Sequence, residues 1–579
     1  MFEYTNKEIA SLIEELADLM EIRGDNQYKI RAYTNAAHRI MESDRDLQEL
    51  YQEENLQEIK GIGSGIAETI SELFREGKSS QLEELKTELP PGVLELLELP
   101  GLGPARAHSL YYELEINNID DLQQAIKEQR VRNLSGFGPK LEAKLQESLD
   151  RYRRYEGQFK ISTALQCVST MCDELKEKLP DLEIISPAGD VRRKKELIEE
   201  IELVASVADK EGITESLRQI SFLKEIKKTE GTSPEVIQSL TAEGLKLKLI
   251  LVDKDQHPAA LRYYTGSAEH NSRLKKFVQN NYEKPESEEK MALLEKGYRG
   301  AKQEQSIFEK LNLQYIIPEL RENKGEVEAA AQNELPDSVE GKDIKGDLHV
   351  HSRYSDGAFS LEDMVQAAQK LGYRYLGFTD HSQSLKVAHG LSPDRLKQQS
   401  EEIIKLQEKH PGIKILRGTE VDILEDGSLD YEDRILEELD YVIASIHSGF
   451  NQDREKITGR LKKAASHPLV DIIGHPQGRL LGKRSAYQVD IKEVITAAGA
   501  HDTAVEINAS PFRLDLDDQT ARYAAQHSVK IVINTDAHHI EELSDMELGV
   551  GVARRGWLEA EDILNTRNYN DLISFFRGE

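Results

Sequence analysis

Hydrophobic positions divide this chain into distinct textures. Up to about Tyr155, apolar residues recur at spacings of three and four without sustained alternation, which predicts helices joined by short turns. From about Phe159 the period changes. Residues 184–187, 201–206 and 245–252 read as strands, the last with fairly clear alternation, and predict an α/β segment. A mixed segment runs to about Pro318, and residues 322–337 are polar and acidic with no evident apolar face, which predicts a linker or a loosely packed connection into the barrel. Beyond it, short apolar runs at 344–350, 375–378, 413–416, 441–446, 470–473 and 531–533 alternate with charged, helical-looking stretches. Buried strands separated by helices in this way predict a β/α barrel, whose functional groups gather at the carboxyl ends of the strands. The expected fold class is multidomain, α followed by α/β.

Composition narrows the options. A chain of 579 residues exceeds what one core supports, so about three or four domains are expected. Cys167 and Cys172 are too few for a disulfide framework and belong to no Cys-rich metal motif, so a reduced compartment is expected. The N-terminal residues lack a basic n-region and an apolar h-region, and no apolar run is long enough to span a bilayer. Neither secretion nor a membrane partner is expected. The formal charge of −30 rules out bulk attraction to nucleic acid as the main driving force. Any such binding must come from local constellations.

The last third holds the candidate chemistry. Most of His349, His351, Asp356, His381, Glu420, His447, His475, Asp536 and His538 lie in or just after the apolar runs. A single scattered histidine is more often a surface group or a satisfied core residue. Nine ligand-type residues placed at strand ends predict a metal site. In His349-Val350-His351 the strand period points both imidazoles to one face. Neutral imidazole with carboxylate suits Zn²⁺, Mn²⁺ or Fe²⁺, and two or three such ions can activate water against a phosphoester. Arg479, in Gly-His-Pro-Gln-Gly-Arg, is a candidate phosphate clamp, with a surface ion pair as an equal alternative.

Three turns in the helical part share a Gly-apolar-Gly pattern: Gly61-Ile62-Gly63, Gly101-Leu102-Gly103 and Gly136-Phe137-Gly138. Each opens a helix whose free N–H groups can meet a phosphate. One copy would be an ordinary capped αα turn. Three copies resemble helix-hairpin-helix motifs, which grip the DNA backbone without reading sequence.

The nine-ligand pattern, in its order, resembles the polymerase and histidinol phosphatase (PHP) family over roughly Lys345 to Asn565. That resemblance implies a distorted (β/α)7 barrel with a trinuclear site. One ion would take His349, His351, Glu420 and Asp536. A bridging Glu420 with His447 and His475 would hold a second ion, and Asp356, His381 and His538 a third. Mn²⁺ is favoured, with Zn²⁺ or Fe²⁺ as alternatives, and His349, His351, Glu420, Asp536 and Arg479 form the implied catalytic set.

The part before about Pro318 resembles family X DNA polymerases, the group of DNA polymerase beta. The whole chain resembles the bacterial and archaeal family X polymerases that carry a C-terminal PHP nuclease. The implied domains are a helical lyase-like domain with the first hairpin (1–85), fingers with the other two (86–155), a nucleotidyltransferase-like palm (156–262), a thumb (263–320), a linker (321–342) and the PHP domain (343–579).

In the palm this sequence departs from the family pattern. Asp190 stands at the serine of Gly-Ser-x-Arg-Arg, ahead of Arg192 and Arg193, while Glu200 and Glu202 replace an aspartate pair. Lys248 falls on the third carboxylate. Tyr264 and Gly266 match the sugar-facing segment. A fixed cation cannot ligate Mg²⁺, so a salt-bridged relic is expected, with Mg²⁺ not favoured and dNTP bound weakly at most. Thr69 replaces the imine-forming lysine of the lyase. Lys29 and Tyr33 match the region that holds a 5′-phosphate, with an exposed helix face as the alternative.

The resulting expectation is a monomeric, cytoplasmic, nucleoid-associated DNA phosphodiesterase. It would act as a 3′→5′ exonuclease or 3′-end-cleaning enzyme on gapped, nicked or 3′-ended DNA. A gap-filling polymerase with proofreading and a DNA-end-binding scaffold are the alternatives.

Overall fold

The computed structural model describes residues 4–578 except 5, 42, 44, 100, 180, 208–212, 221–222, 230–233 and 242–243. Chain contacts divide it into two compact units, Met1–Glu156 and Gly157–Glu579. Among the described residues no helix is long and apolar enough to cross a membrane.

The first unit is helical around one core running from Ile9 to Leu149. Its three hairpins share one backbone plan. The first glycine of each, Gly61, Gly101 and Gly136, is left-handed, with φ of 107°, 91° and 79°, a conformation that strains any residue with a Cβ. The second, Gly63, Gly103 or Gly138, is extended and begins the helix Ser64–Glu76, Pro104–Leu114 or Pro139–Tyr155. No side chain caps these helix starts. Lys29 is exposed. Tyr33, in contrast, is a core residue whose hydroxyl donates to Gln81, so only Lys29 is displayed to solvent. Thr69 is buried and donates to the carbonyl of Gly65 one turn back.

The segment expected to be the palm, called so below, holds a five-stranded sheet in the order 182–187, 200–207, 246–252, 235–241, 223–229. Of the two strands that the hydrophobic pattern missed, 235–241 is paired on both sides and 223–229 lies at the edge. Leu223–Thr229 carries Lys224, Glu225, Lys227 and Lys228 and is mostly solvent-facing, a charge pattern that blunts an edge strand.

The segment expected to be a linker or a loose connection is instead closely packed. Glu326–Gln332 is a helix that buries Val327 and Ala330 in the thumb core with Leu274, Val278, Ile307 and Phe308. Glu326 is also buried, accepting a 2.6 Å hydrogen bond from the His270 imidazole and two from the backbone N–H groups of Asn323 and Lys324. A carboxylate satisfied three times over can enter a core, and this is why polarity misreads the segment.

Burial pushes the His270 pKa down to about 4. As pH falls from about 6.5 towards 4, the unfolded chain takes up a proton that the folded imidazole refuses, so stability is lost through that window. Urea melts should show a penalty approaching about 2 kcal/mol near pH 5, shrinking in His270→Gln, whose amide can still donate to Glu326.

The C-terminal part is a parallel barrel. Strands Gly346–Val350, Tyr375–Phe378 and Lys414–Arg417 form one sheet. Glu420–Asp422, Ile443–Ser445, Ile472–Ile473, Ala504–Asn508 and Ile531–Asn534 form the other. Lys414–Arg417 and Glu420–Asp422 are two halves of one strand, broken at 418–419, so the barrel has seven staves. Bridges Val350↔Ala537 and His381↔Glu420 link the two sheets. Tyr441 fills the middle, its hydroxyl donating to the carbonyl of Leu348. A Cβ on Gly377 or Gly418 would overlap its ring, so both positions need glycine.

Candidate metal centre

All nine predicted ligands converge at the carboxyl ends of the barrel strands. His349 and His351 end the first strand and are fully buried. His381, His447, His475 and the pair Asp536 and His538 follow the second, fourth, fifth and last staves, while Glu420 opens the second half of the broken stave. Asp356 comes from the loop after His351.

Glu420 is the hub. Its oxygens lie 2.8 Å from His381 Nδ1, 2.9 Å from His475 Nε2, 3.3 Å from His447 Nε2 and 3.5 Å from His349 Nε2. His351 Nε2 lies 3.0 Å from Asp536, and His538 Nε2 3.3 Å from Asp356. Three groups have ligand atoms close enough to share an ion: His351, Asp356, His381 and His538; His349, His351 and Asp536; His381, Glu420 and His447. His351 and His381 each belong to two groups, a sharing that sequence order alone does not reveal.

The donor set fits cations. His349 Nε2, both nitrogens of His351, His381 Nδ1, Glu420 Oε2 and His475 Nδ1 are buried without a hydrogen-bond partner. Leaving that many polar atoms buried and unsatisfied is costly, and divalent ions would satisfy those in the three groups; His475, which turns Nε2 to Glu420, is in none of them. Burial alone would lower the His349 pKa and raise that of Glu420, but the opposed charges prevail. Glu506, Asp536 and Glu420 hold His349 well above its usual value, and His447, His349 and His381 hold Glu420 well below. These carboxylates are already arranged for positive charge. The backbone is also strained here: Asp536 and His475 have φ of 57° and 27°, which non-glycine residues adopt only when the surroundings impose it.

Several residues behind the ligands escaped the sequence reading. Glu506, on the unpredicted strand Ala504–Asn508, accepts from His349 Nδ1 at 2.7 Å and from the His475 backbone N–H at 2.8 Å. It thereby turns His349 Nε2 towards the cluster. Asp422 does the same for His447 at 2.6 Å, and Asn508 donates to Asp536. The available signal was a lone acid inside the apolar run Ala-Val-Glu-Ile. Glu506→Gln is expected to weaken Mn²⁺ binding by about ten- to a hundredfold, as read by calorimetric titration; unchanged affinity would remove Glu506 from the site.

Arg479 does not face the cluster, which corrects the clamp expected there. Its guanidinium is clasped by Glu196 of the palm at 2.8 and 3.1 Å and donates to the carbonyls of Arg513 and Leu514. The arginine at the cluster is Arg513, whose Nε is 3.3 Å from Asp536 Oδ2.

In the palm, Glu202 pairs with Lys248 in register across parallel strands. Lys248 Nζ is 2.6 Å from Glu202 and 3.9 Å from Glu200. Burial raises the Glu200 pKa. Arg192 makes a bidentate pair with Glu304 at 2.8 and 3.1 Å and a hydrogen bond to Thr265. Arg193 is shared among Asp190, Glu322 and the Thr265 carbonyl. Tyr264 stands beside this group with Lys248 Nζ 5.3 Å from its ring, and a Cβ on Gly266 would collide with His270.

A ligand-lined parallel barrel joined to a palm and a helical thumb defines a class, the PHP domain linked to a polymerase-like core. Family models agree: the helix-hairpin-helix domain matches residues 4–79, the SAM-like helix-hairpin-helix tandem 93–151, the DNA polymerase beta thumb 260–322 and the PHP domain 347–510. The chain is 40% identical to the DNA polymerase/3'-5' exonuclease PolX of Bacillus subtilis (strain 168) over 99% of both chains. It belongs to the family X DNA polymerases that carry a C-terminal PHP domain. Its barrel alone is 33% identical to a probable phosphatase of Thermoanaerobacter sp. (strain X514), over 38% of this chain and 89% of that one.

Proposed function

We propose that this protein removes nucleotides from DNA 3′ ends by phosphodiester hydrolysis at the barrel cluster, and that its palm binds DNA without efficient nucleotide transfer. The observation that carries the first part is the set of buried, unsatisfied ligand atoms at Glu420, His349, His351, His381 and His475. Divalent ions, Mn²⁺ by preference and Zn²⁺ or Fe²⁺ otherwise, would supply Lewis-acid activation of water and phosphate there. The chain's own groups do the rest. Glu506 and Asp422 hold His349 and His447 in their ligating orientation, and Arg513 takes the phosphate-clamping role first given to Arg479. The three hairpins and exposed Lys29 supply backbone grip to a chain whose net charge is −30. The name of the Bacillus subtilis relative, which pairs polymerase with 3'-5' exonuclease, supports the nuclease half.

That same name favours a second reading, a gap-filling polymerase with an editing nuclease. Lys248 and the captive Arg192 argue against it here. A primer-labelled gapped duplex separates the two, given Mn²⁺ with and without dNTPs. Primer shortening that is lost in His349→Ala and never gives way to extension is the expected result. Templated extension by both proteins would overturn the palm reading.

A further inference from the structure

The cluster itself is deeply placed. His349, His351, Glu420 and His475 are buried, and only Asp356 and His538 are a third exposed. A duplex cannot bring its backbone to such a floor, whereas a frayed strand can. The rim supplies features suited to one. Next to Arg513, Phe512 is 45% exposed, an unusual position for a large aromatic ring. Lys160, from the palm strand Phe159–Lys160, holds its ammonium 3.6 Å from the centre of that ring. Burial lowers the Lys160 pKa, and the charge of Lys483 lowers it further. The loop of Lys483 is joined to that of Phe512 by the Leu481 N–H donating to the Phe512 carbonyl at 2.7 Å. Arg484, beyond it, stacks 4.0 Å over Phe450. Aromatic faces interleaved with cations, continuous with a phosphate-cleaving centre, are what a single strand of nucleic acid requires.

We propose that Phe512, flanked by Lys160 and Lys483, is the platform on which the unpaired terminal base of a 3′ end stacks while Arg513 meets its phosphate at the cluster. The platform rests on the reading of that cluster as the cutting site. It has a second anchor in the palm, because the Glu196–Arg479 pair holds the carbonyls of Arg513 and Leu514. The palm thereby helps build the nuclease mouth with two residues, Lys160 and Glu196.

The test uses the full chain and two substrates. An oligothymidylate ending in 5-iododeoxyuridine is crosslinked by light in EDTA and the attachment is mapped by mass spectrometry. The same oligonucleotide, unmodified, and bis(p-nitrophenyl) phosphate are hydrolysed with Mn²⁺. The expected crosslink falls at Phe512 and is lost in Phe512→Ala. In Phe512→Ala and Lys160→Gln the ratio of oligonucleotide to small-diester kcat/KM should fall about tenfold, with Phe512→Trp restoring it. A crosslink elsewhere, with that ratio unmoved in Phe512→Ala, overturns the platform while diester cleavage leaves the cutting site standing. A crosslink at Phe512 without hydrolysis of either substrate keeps the platform and overturns the cutting site.

Discussion

Glu420→Gln is expected to reduce Mn²⁺-dependent hydrolysis of both a DNA 3′ end and bis(p-nitrophenyl) phosphate by at least about a thousandfold. The magnitude follows from its position. Four imidazoles lie within 3.5 Å of its two oxygens, more than crowd any other carboxylate of the cluster at that distance. An amide of the same shape offers one neutral oxygen and turns an N–H donor towards some of those rings. Electrostatic stabilisation worth several kcal/mol is lost, and each 1.4 kcal/mol is about tenfold in rate. Calorimetry should show fewer Mn²⁺ ions bound, while the palm, with its separate sheet, unfolds as in the wild type. Residual cleavage within tenfold of wild type would mean that the reaction does not use this hub.

The second large effect lies in the palm. Wild-type protein should give negligible Mg²⁺-dependent primer extension, and Lys248→Asp should raise it by at least about tenfold. Lys248 places a cation 2.6 Å from Glu202, so the carboxylates are already neutralised by a side chain that no ion can displace cheaply. Aspartate would turn that fixed charge into a third ligand in the right register, since Lys248 faces Glu202 directly across the strand pair. Recovery would stay partial for two reasons. Glutamates at 200 and 202 reach about a bond too far, and misplacement on the order of 1 Å costs about a hundredfold. Arg192 also remains held by Glu304, a carboxyl kept down near 2, against the pull of burial, by Arg321 and Arg192. Robust extension by the wild type would show that the ion pair opens when DNA and nucleotide bind, and the relic reading would fail.

What could be read from sequence follows from where the information is local. A strand buried on both faces must be apolar through its length, so Gly346–Val350, Tyr375–Phe378 and Ile531–Asn534 were visible as runs. The nine ligands were visible because most of them sit in or just after such a run. The Glu200, Glu202 and Lys248 ion pairs followed from strand period together with the resemblance, which put Lys248 at the third carboxylate. The failures share a different cause: each depends on a partner distant in the chain. Glu326 reads as solvent-facing until His270, fifty-six residues away, satisfies it. Arg479 reads equally as a clamp or an ion pair until Glu196 decides for the pair, and Glu506 goes unnoticed until His349 turns to it. Tyr33 matched a binding pattern, but its ring belongs to a core that only the folded helices define.

The clasp of Glu196 on Arg479 and Arg555 bears on how portable the barrel is. Relatives such as the Thermoanaerobacter probable phosphatase match only 38% of this chain, so excising residues 343–579 looks like a route to a minimal enzyme. In this chain that cut would strip Arg479 of its carboxylate partner, leave Arg555 with Asp518 alone, and free the loop that carries Arg513. Fusion has become dependence: the barrel has delegated part of its own wall to its neighbour. Transplanting its activity into another scaffold means carrying Glu196 along, or redesigning the face that it covers.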